Sequence, residues 1–261
     1  MAITMDQVKE LRLATWIWMM ECKKALEATA WDMDKAIDEL RKKGLAKAAK
    51  KADRETSEWA VKIITDWGNA YVVSIACETD FLANTDKFKS MLSEVTNFLK
   101  ENGEDSKEAA QEKINTDFAL EMWENLQIKD YKVISGGVTG AYIHSNGKLA
   151  ALVVAKEWTD EDKLKQVAMH VTASKPEVLK PSDIAEEVVA KETEIAMEQM
   201  KNDPKMANKP EQVLEKILEG KINKFKEEIS LLTQDFVIDN TKKVGEFIGQ
   251  DTLESFERIA I

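Results

Sequence analysis

Few residues in the sequence have the types and spacing that catalysis requires. The motifs G-x-x-x-x-G-K-[ST], G-x-S-x-G and H-E-x-x-H bind phosphates, present a nucleophilic serine or hold zinc, and none of them occurs. The segment GGVTGAY at 136–142 is similar to a phosphate loop, but it leads into a predicted strand and does not open a helix. We therefore interpret its glycines as residues of a β-hairpin.

Single acidic and histidine side chains are the remaining candidates for chemistry. Glu78 and Asp80 could act as a general acid–base pair, but such a pair is expected by chance when 33% of the residues are charged. His144 and His170 stand far apart, with no cysteine at the spacing of a metal site. The sequence therefore predicts no catalytic residue, no metal site and no cofactor, and it does not indicate an enzyme.

Cysteine content and charge restrict the compartment and the partners. Cys22 and Cys77 are too few for a disulfide framework, which is typical of a reducing compartment. The first residues lack the regions of a signal peptide, and no apolar run reaches the ~18 residues that span a bilayer. The formal net charge of −11 disfavours DNA and RNA as partners. We therefore predict a cytoplasmic protein that contacts neither membrane nor DNA.

One loop carries a side chain that is suited to binding. In CETDFL at 77–82, Phe81 follows polar residues at the end of a predicted strand. Composition favours a Phe81 side chain that packs into the core of its own subdomain. The alternative is a projecting aromatic side chain that anchors a partner pocket.

The elements that must position these residues are mostly helical. With 10 glycines and 4 prolines in 261 residues, the chain has few of the breakers that an all-β fold needs. Residues 1–54 are predicted to form three short helices, the third closed by Gly44. The basic segment 41–54 is interpreted as a solvated helical linker, with a phosphate or ribosomal-RNA contact as the alternative.

The rest of the sequence, residues 55–261, predicts two α+β subdomains. Residues 55–135 contain a β-hairpin followed by two helices, and residues 136–261 repeat the plan with a hairpin that turns at Asn146-Gly147. Inserted at about 183–229 are two narrow apolar stripes, which predict a protruding antiparallel coiled-coil hairpin. After it we expect a strand-like DFVI and a short tail. The predicted fold class is α+β.

Several motifs, in order and spacing, resemble the bacterial elongation factor Ts family over essentially the whole chain. The matching stretches are VKELR at 8–12, MMECKKALE at 19–27, KAID at 35–38, RKKGLAKAAKKA at 41–52, CETDFLA at 77–83, AMHVTASKPE at 168–177, KILEGKINKF at 216–225 and DFVI at 235–238. The resemblance implies an N-terminal three-helix domain of the ubiquitin-associated type, two α+β subdomains and a coiled-coil hairpin in the second.

The resemblance also implies a function. The family promotes GDP release from elongation factor Tu without covalent chemistry, binding Tu in its GDP-bound and nucleotide-free states. The family's loop that displaces magnesium from Tu matches Thr79, Asp80, Phe81 and Leu82. Its other partner-binding positions match Arg12, Met19, Met20, Lys23, His144, Val237 and Ile238. The alternative is a non-catalytic adaptor that binds a partner helix or the ribosome through its ubiquitin-associated-type bundle.

Tryptophans stand where this family has glycines. Trp16 and Trp18 occupy the glycine positions of T-G-x-G-M-M, Trp31 that of a Gly-Asp turn, and Trp123 that of I-G-E-N. Glycine adopts a positive φ at negligible cost, whereas a bulky side chain is strained there by ~1 kcal/mol or more. We also expect at least one of Trp16 and Trp18 to be exposed.

Overall fold

The computed structural model describes residues 5–260 of the chain, except for eight positions. These are Trp16, Trp18, Trp67, Glu157, Trp158, Lys205, Ala207 and Asn208. The expected exposure of a tryptophan at 16 or 18 therefore lies outside the described residues. The chain divides into two units: residues up to Ser135 with the turn Ser145–Lys148, and Gly136–His144 with Leu149–Ala260. No helix in the described ranges is long and apolar enough to cross a membrane.

The first unit begins with three helices, as the apolar spacing predicts. They are α1 (Met5–Thr15), α2 (Met19–Ala28) and α3 (Met33–Lys51). Asp32 starts α3, because its carboxylate accepts a hydrogen bond from the backbone N–H of Lys35. The helices share a buried apolar cluster that consists of Val8, Leu11, Ile17, Cys22, Ala25, Leu26, Ala36 and Leu40.

The predicted helix end at Gly44 is wrong. The helix α3 continues to Lys51, and Gly44 is buried inside it. A Cβ atom at Gly44 would lie 2.8 Å from the carbonyl oxygen of Asn115 and 2.9 Å from that of Thr116. Glycine is therefore required here for a close approach between two backbones, not for a helix cap. The basic segment 41–54 is helical up to Lys51, as predicted, and most of its side chains are exposed, whereas Gly44 and Lys51 are buried.

A three-stranded antiparallel sheet and a set of helices complete the first unit. Its strands, in the spatial order β1-β2-β3, are β1 (Glu58–Asp66), β2 (Asn69–Cys77) and β3 (Gln127–Ser135). Its helices are α4 (Asp80–Ala83), α5 (Asp86–Asn102), α6 (Lys107–Lys113) and α7 (Ala119–Met122), with a π-helical turn at Ile114–Phe118 between the last two. The hairpin and the helices match the prediction, whereas β3 was not predicted.

The core of the first unit lies between α5 and the sheet. One face of α5 is buried, and it consists of Phe88, Met91, Leu92, Val95, Thr96 and Leu99. Across from it lie Ile75 of β2 and Tyr131 of β3, both buried in the same cluster. The hydroxyl of Tyr131 donates to the carbonyl oxygen of Leu99 at 3.0 Å, so the third strand is attached to the helix by a polar contact as well.

The second unit contains another three-stranded antiparallel sheet. Its strands, in the order β4-β5-β8, are β4 (Val138–Ile143), β5 (Leu149–Ala155) and β8 (Leu253–Ala260), and α8 (Glu161–Ser174) packs on β4 and β5. The short tail expected after DFVI is therefore wrong, because Leu253–Ala260 forms a full strand paired with β5. Asp160 begins α8 as predicted, since its carboxylate accepts from two backbone N–H groups of the first turn.

The helical hairpin of the second unit consists of α9 (Glu186–Asn202) and α10 (Glu211–Ile229). Met200 near the end of α9 and Leu214 near the start of α10 line one cavity, so the two helices run antiparallel as predicted. The strands β6 (Asp235–Phe236) and β7 (Asp239–Lys243) and the short helix α11 (Val244–Ile248) follow.

Gly44 provides a direct test of close packing on α3. We expect Gly44→Ala to lower the free energy of unfolding by about 1–3 kcal/mol, because its Cβ would overlap backbone carbonyl groups that cannot rotate away. Gly220→Ala is the matched control, since Gly220 lies in α10 with open space around it and alanine should raise stability by about 1 kcal/mol. Urea unfolding measures both, and a stabilised Gly44→Ala variant would contradict the close approach.

Candidate functional site

A one-turn helix at the end of β2 carries the four residues of the predicted loop. Thr79 caps α4, because its hydroxyl oxygen accepts the backbone N–H of Leu82 at 3.3 Å. The next side chains are exposed: Asp80 points into solvent, and 83% of the Phe81 side chain is accessible. The interpretation of Phe81 as a core residue is therefore wrong, because Ala83 and Phe88 fill the core beneath the turn instead.

A carboxylate from a distant part of the sequence fixes this turn. One oxygen of Glu124 accepts the backbone N–H groups of Glu78 at 2.8 Å and Thr79 at 2.9 Å. The other oxygen accepts the hydroxyl proton of Thr79 at 2.5 Å. Hydrogen bonds to an ionised acceptor are among the stronger ones in proteins. Glu124 thus fixes both the backbone and the capping side chain at the point where the turn begins.

Three chain segments meet beside this carboxylate. The side chain of Glu78 accepts the backbone N–H of Asn125 at 2.7 Å and lies 3.4 Å from the guanidinium of Arg54. The amide group of Asn125 donates to the carbonyl oxygens of Ala52 and Arg54. The end of β2, the end of α3 and the segment after α7 are therefore joined by side chain–backbone hydrogen bonds.

The geometry does not support an acid–base or metal site in this region. Glu78 is engaged by Asn125 and Arg54, while Asp80 is exposed on the turn. Burial raises the pKa of the Cys77 thiol to about 12, and the nearby Glu124 carboxylate adds to that rise, so the thiol is not a ready nucleophile. In the parts of the chain that the structure describes, no three potential metal ligands come together.

Trp123 occupies the strained backbone position immediately before Glu124. Its φ of 58° lies in the left-handed region, where a side chain is disfavoured. The ammonium group of Lys47 lies 4.6 Å from the ring centroid, within the range of a cation–π contact. Lys51 lies 5.7 Å from the same ring and is buried, and burial is the main cause that lowers its pKa.

The other predicted partner-binding residues of the first unit lie on α1 and α2. Arg12 and Met20 are exposed, and Met19 packs partly against the three-helix core. Lys23 is half-buried and lies 3.8 Å from Glu27 one turn later. The exposed members are one basic and one apolar side chain.

Trp31 stands in the turn between α2 and α3 with a φ of 73°. Its backbone N–H donates to the carbonyl oxygen of Leu26 at 2.9 Å, which closes the end of α2. The preceding residue, Ala30, also has a positive φ, at 50°. Both described tryptophans at family glycine positions, Trp31 and Trp123, therefore have the left-handed backbone that glycine adopts freely.

In the second unit, Val237 and Ile238 form the turn between β6 and β7 and are both exposed. The buried ring of His170 lies beneath this turn. Its Nδ1 accepts the backbone N–H of Val237 at 3.2 Å, which assigns the ring proton to Nε2, 2.8 Å from the amide oxygen of Gln234. Burial lowers the pKa of His170, so the neutral ring that this arrangement needs is favoured.

His144, the remaining candidate of the second unit, follows β4 and is exposed. Its ring Nδ1 lies 3.2 Å from the hydroxyl of Tyr142, and the two rings meet edge to face with centroids 6.1 Å apart. The tyrosine therefore restrains the orientation of the imidazole while leaving it accessible.

Comparison with known proteins decides the family. The family model for Elongation factor TS matches residues 78–261. An Elongation factor Ts of Pasteurella multocida is 42% identical over 255 residues, covering 95% of this chain and 87% of that protein. The chain belongs to the elongation factor Ts family. Two further relatives named Elongation factor Ts come from Nitratiruptor and Sodalis glossinidius, and each is 40% identical to this chain. The matches cover 96% and 95% of this chain, respectively, and 87% of each relative.

Membership of the elongation factor Ts family confirms the resemblance and the α+β fold, and it makes the chain a translation elongation factor. Sequence reasoning did not single out Glu124, Asn125 or His170 as functional positions. Signals for them were present, because Glu124 and Asn125 follow Trp123 in the family's I-G-E-N motif and His170 lies within AMHVTASKPE.

The backbone strain at Trp123 is open to a direct measurement. We expect Trp123→Gly to be more stable than Trp123→Ala by about 1 kcal/mol, because both remove the ring and only glycine relieves the positive φ. The same pair at Trp59 in β1 is the control, and there alanine should be the more stable variant. Urea unfolding gives the four free energies, and equal stability of the two variants at 123 would argue against strain.

His170 predicts a pH dependence of stability. Its pKa in the folded protein lies below the ordinary value of about 6.5, so the unfolded chain binds more protons and the folded state loses stability as the pH falls from 7 to 5. His170→Gln should lose less stability over this range than the wild type. His144→Gln, at an exposed position, is the control and should keep the wild-type slope. Thermal unfolding at several pH values is the measurement, and equal slopes for all three proteins would contradict the assignment.

Proposed function

We propose that this chain promotes the release of GDP from elongation factor Tu and thereby allows GTP to load. The observation that carries the proposal is the capped turn Thr79–Leu82, which presents an exposed Phe81 beside an exposed Asp80. This turn matches the family loop that enters the nucleotide domain of Tu. The reaction is one of binding and release in the cytoplasm, with no covalent step, cofactor, membrane or DNA.

The chemistry of the turn suits the disruption of a nucleotide site. Magnesium bridges the nucleotide phosphates and the protein ligands in P-loop GTPases, so displacing it weakens the hold on GDP. Transfer of the exposed Phe81 ring from water into an apolar pocket of the partner is favourable in free energy. Insertion of the ring brings the Thr79–Leu82 turn into the region where the ion is held.

Binding linkage explains why such a protein accelerates release. A factor that binds the nucleotide-free GTPase more tightly than the GDP-bound form must weaken the binding of GDP to the GTPase by the same coupling free energy. The affinity comes from two further sets of side chains. In the first unit these are Arg12, Met19, Met20 and Lys23, and in the second they are His144, Val237 and Ile238.

The test measures the rate of GDP release from elongation factor Tu in the presence of the wild-type protein and of the Phe81→Ala variant. We expect Phe81→Ala to lower the maximal rate of release about tenfold or more, as the loss of an interface anchor does. Thermal stability should change by less than about 0.5 kcal/mol, because the side chain is exposed. Val133→Ala, which shortens an exposed apolar side chain on β3, is the control and should release GDP as the wild type does.

The same assay separates exchange from the adaptor function. Wild-type protein that binds Tu and leaves the GDP release rate unchanged would contradict the proposal and favour an adaptor. Wild-type activity that survives Phe81→Ala would contradict the role of the exposed ring while leaving exchange in place.

A further inference from the structure

We propose that Glu124 is a positioning residue for nucleotide exchange, which holds the Thr79–Leu82 turn in the shape that presents Phe81. The inference rests on the proposed function, because it assigns a role within that reaction. Glu124 is not among the partner-binding residues proposed above. Its side chain acts on the turn and not on the partner.

The first step is the anchoring of the backbone where the sheet ends. Cys77 is the last residue of β2 that pairs with β1, so the N–H groups of Glu78 and Thr79 lie beyond the paired strands. A single oxygen of Glu124 accepts both. Two consecutive donors that converge on one acceptor fix the direction in which the chain leaves the sheet.

The second step is the orientation of the Thr79 hydroxyl. Its proton is donated to the other oxygen of Glu124, which leaves the lone pairs of the hydroxyl oxygen free to accept the N–H of Leu82. The helix α4 has only four residues, and so short a helix is unstable without its cap. The carboxylate thus stabilises the cap, and the cap stabilises the turn that carries Phe81.

The third step is the placement of Glu124 itself. The left-handed residue Trp123 ends α7 and turns the chain, and Asn125 is held by the Glu78 carboxylate and by two carbonyl groups at the end of α3. Glu124 is therefore fixed from both sides before it reaches the turn. A group held in this way can transmit a defined geometry to Thr79.

Removal of the carboxylate should leave the fold intact. The donors that Glu124 would release belong to Glu78, which is only partly buried, and to Thr79, which is exposed, so water can replace the carboxylate. The buried cluster beneath them, with Ala83 and Phe88, does not involve Glu124. The turn would then sample several conformations, and only some of them would direct Phe81 toward a partner.

The experiment compares Glu124→Ala, Glu124→Gln and Glu121→Ala in GDP release from elongation factor Tu over a range of factor concentrations. Glutamine keeps an oxygen for the two backbone donors and offers an N–H to the hydroxyl oxygen, so it should restore most of the activity. Glu121 lies on α7 and pairs with Lys87 instead of the turn, which makes its alanine variant the matched control.

We expect Glu124→Ala to lower the maximal release rate at least about tenfold, with the half-saturating concentration changed less than about threefold. Glu124→Gln should recover more than half of the wild-type rate, and Glu121→Ala should match the wild type. An unchanged maximal rate in Glu124→Ala, an equal loss in Glu121→Ala, or no recovery in Glu124→Gln would each overturn the positioning role. Wild-type protein that fails to accelerate release would instead overturn the proposed function, whatever the variants do.

Discussion

Where the second strand leaves its sheet, two consecutive backbone N–H groups need an acceptor, and the carboxylate of Glu124 accepts both. The rest of the first unit makes this contact possible. Gly44 lets α3 approach the backbone at residues 115–116, which precedes α7, and Trp123 turns the chain at the end of α7 so that Glu124 reaches Thr79. The neighbouring Asn125 joins the same segment to the end of α3, so the position of Glu124 also depends on the packing of that helix.

Much of this fold could be predicted from local pattern. Apolar spacing located the helices, and the turn at Asn146-Gly147 located a hairpin. The strands β3 and β8 were missed, because each pairs with a strand far away in sequence and lacks the strict apolar–polar alternation that predicts a strand. Two polar residues separate Ile128 from Tyr131 in β3, and two separate Leu253 from Phe256 in β8. Gly44 was misread because glycine serves helix ends and close packing equally well, and only the neighbouring backbone distinguishes the two uses.

The candidate site also contains residues that the sequence predicts and residues that it does not. Residues that face solvent, such as Phe81 and Val237, could be proposed from the sequence, because motifs mark them and their role needs no internal partner. Composition misjudged the burial of Phe81, since it takes no account of the cap at Thr79. Glu124 and His170 support these residues through contacts across 45 and 67 positions of the chain, and no spacing rule predicts such contacts.

The tryptophans with left-handed backbone also have a genetic consequence. The tryptophan codon UGG and the glycine codon GGG differ at one base. Each of the two strained turns, at Trp31 and Trp123, is therefore one base change away from a relaxed backbone.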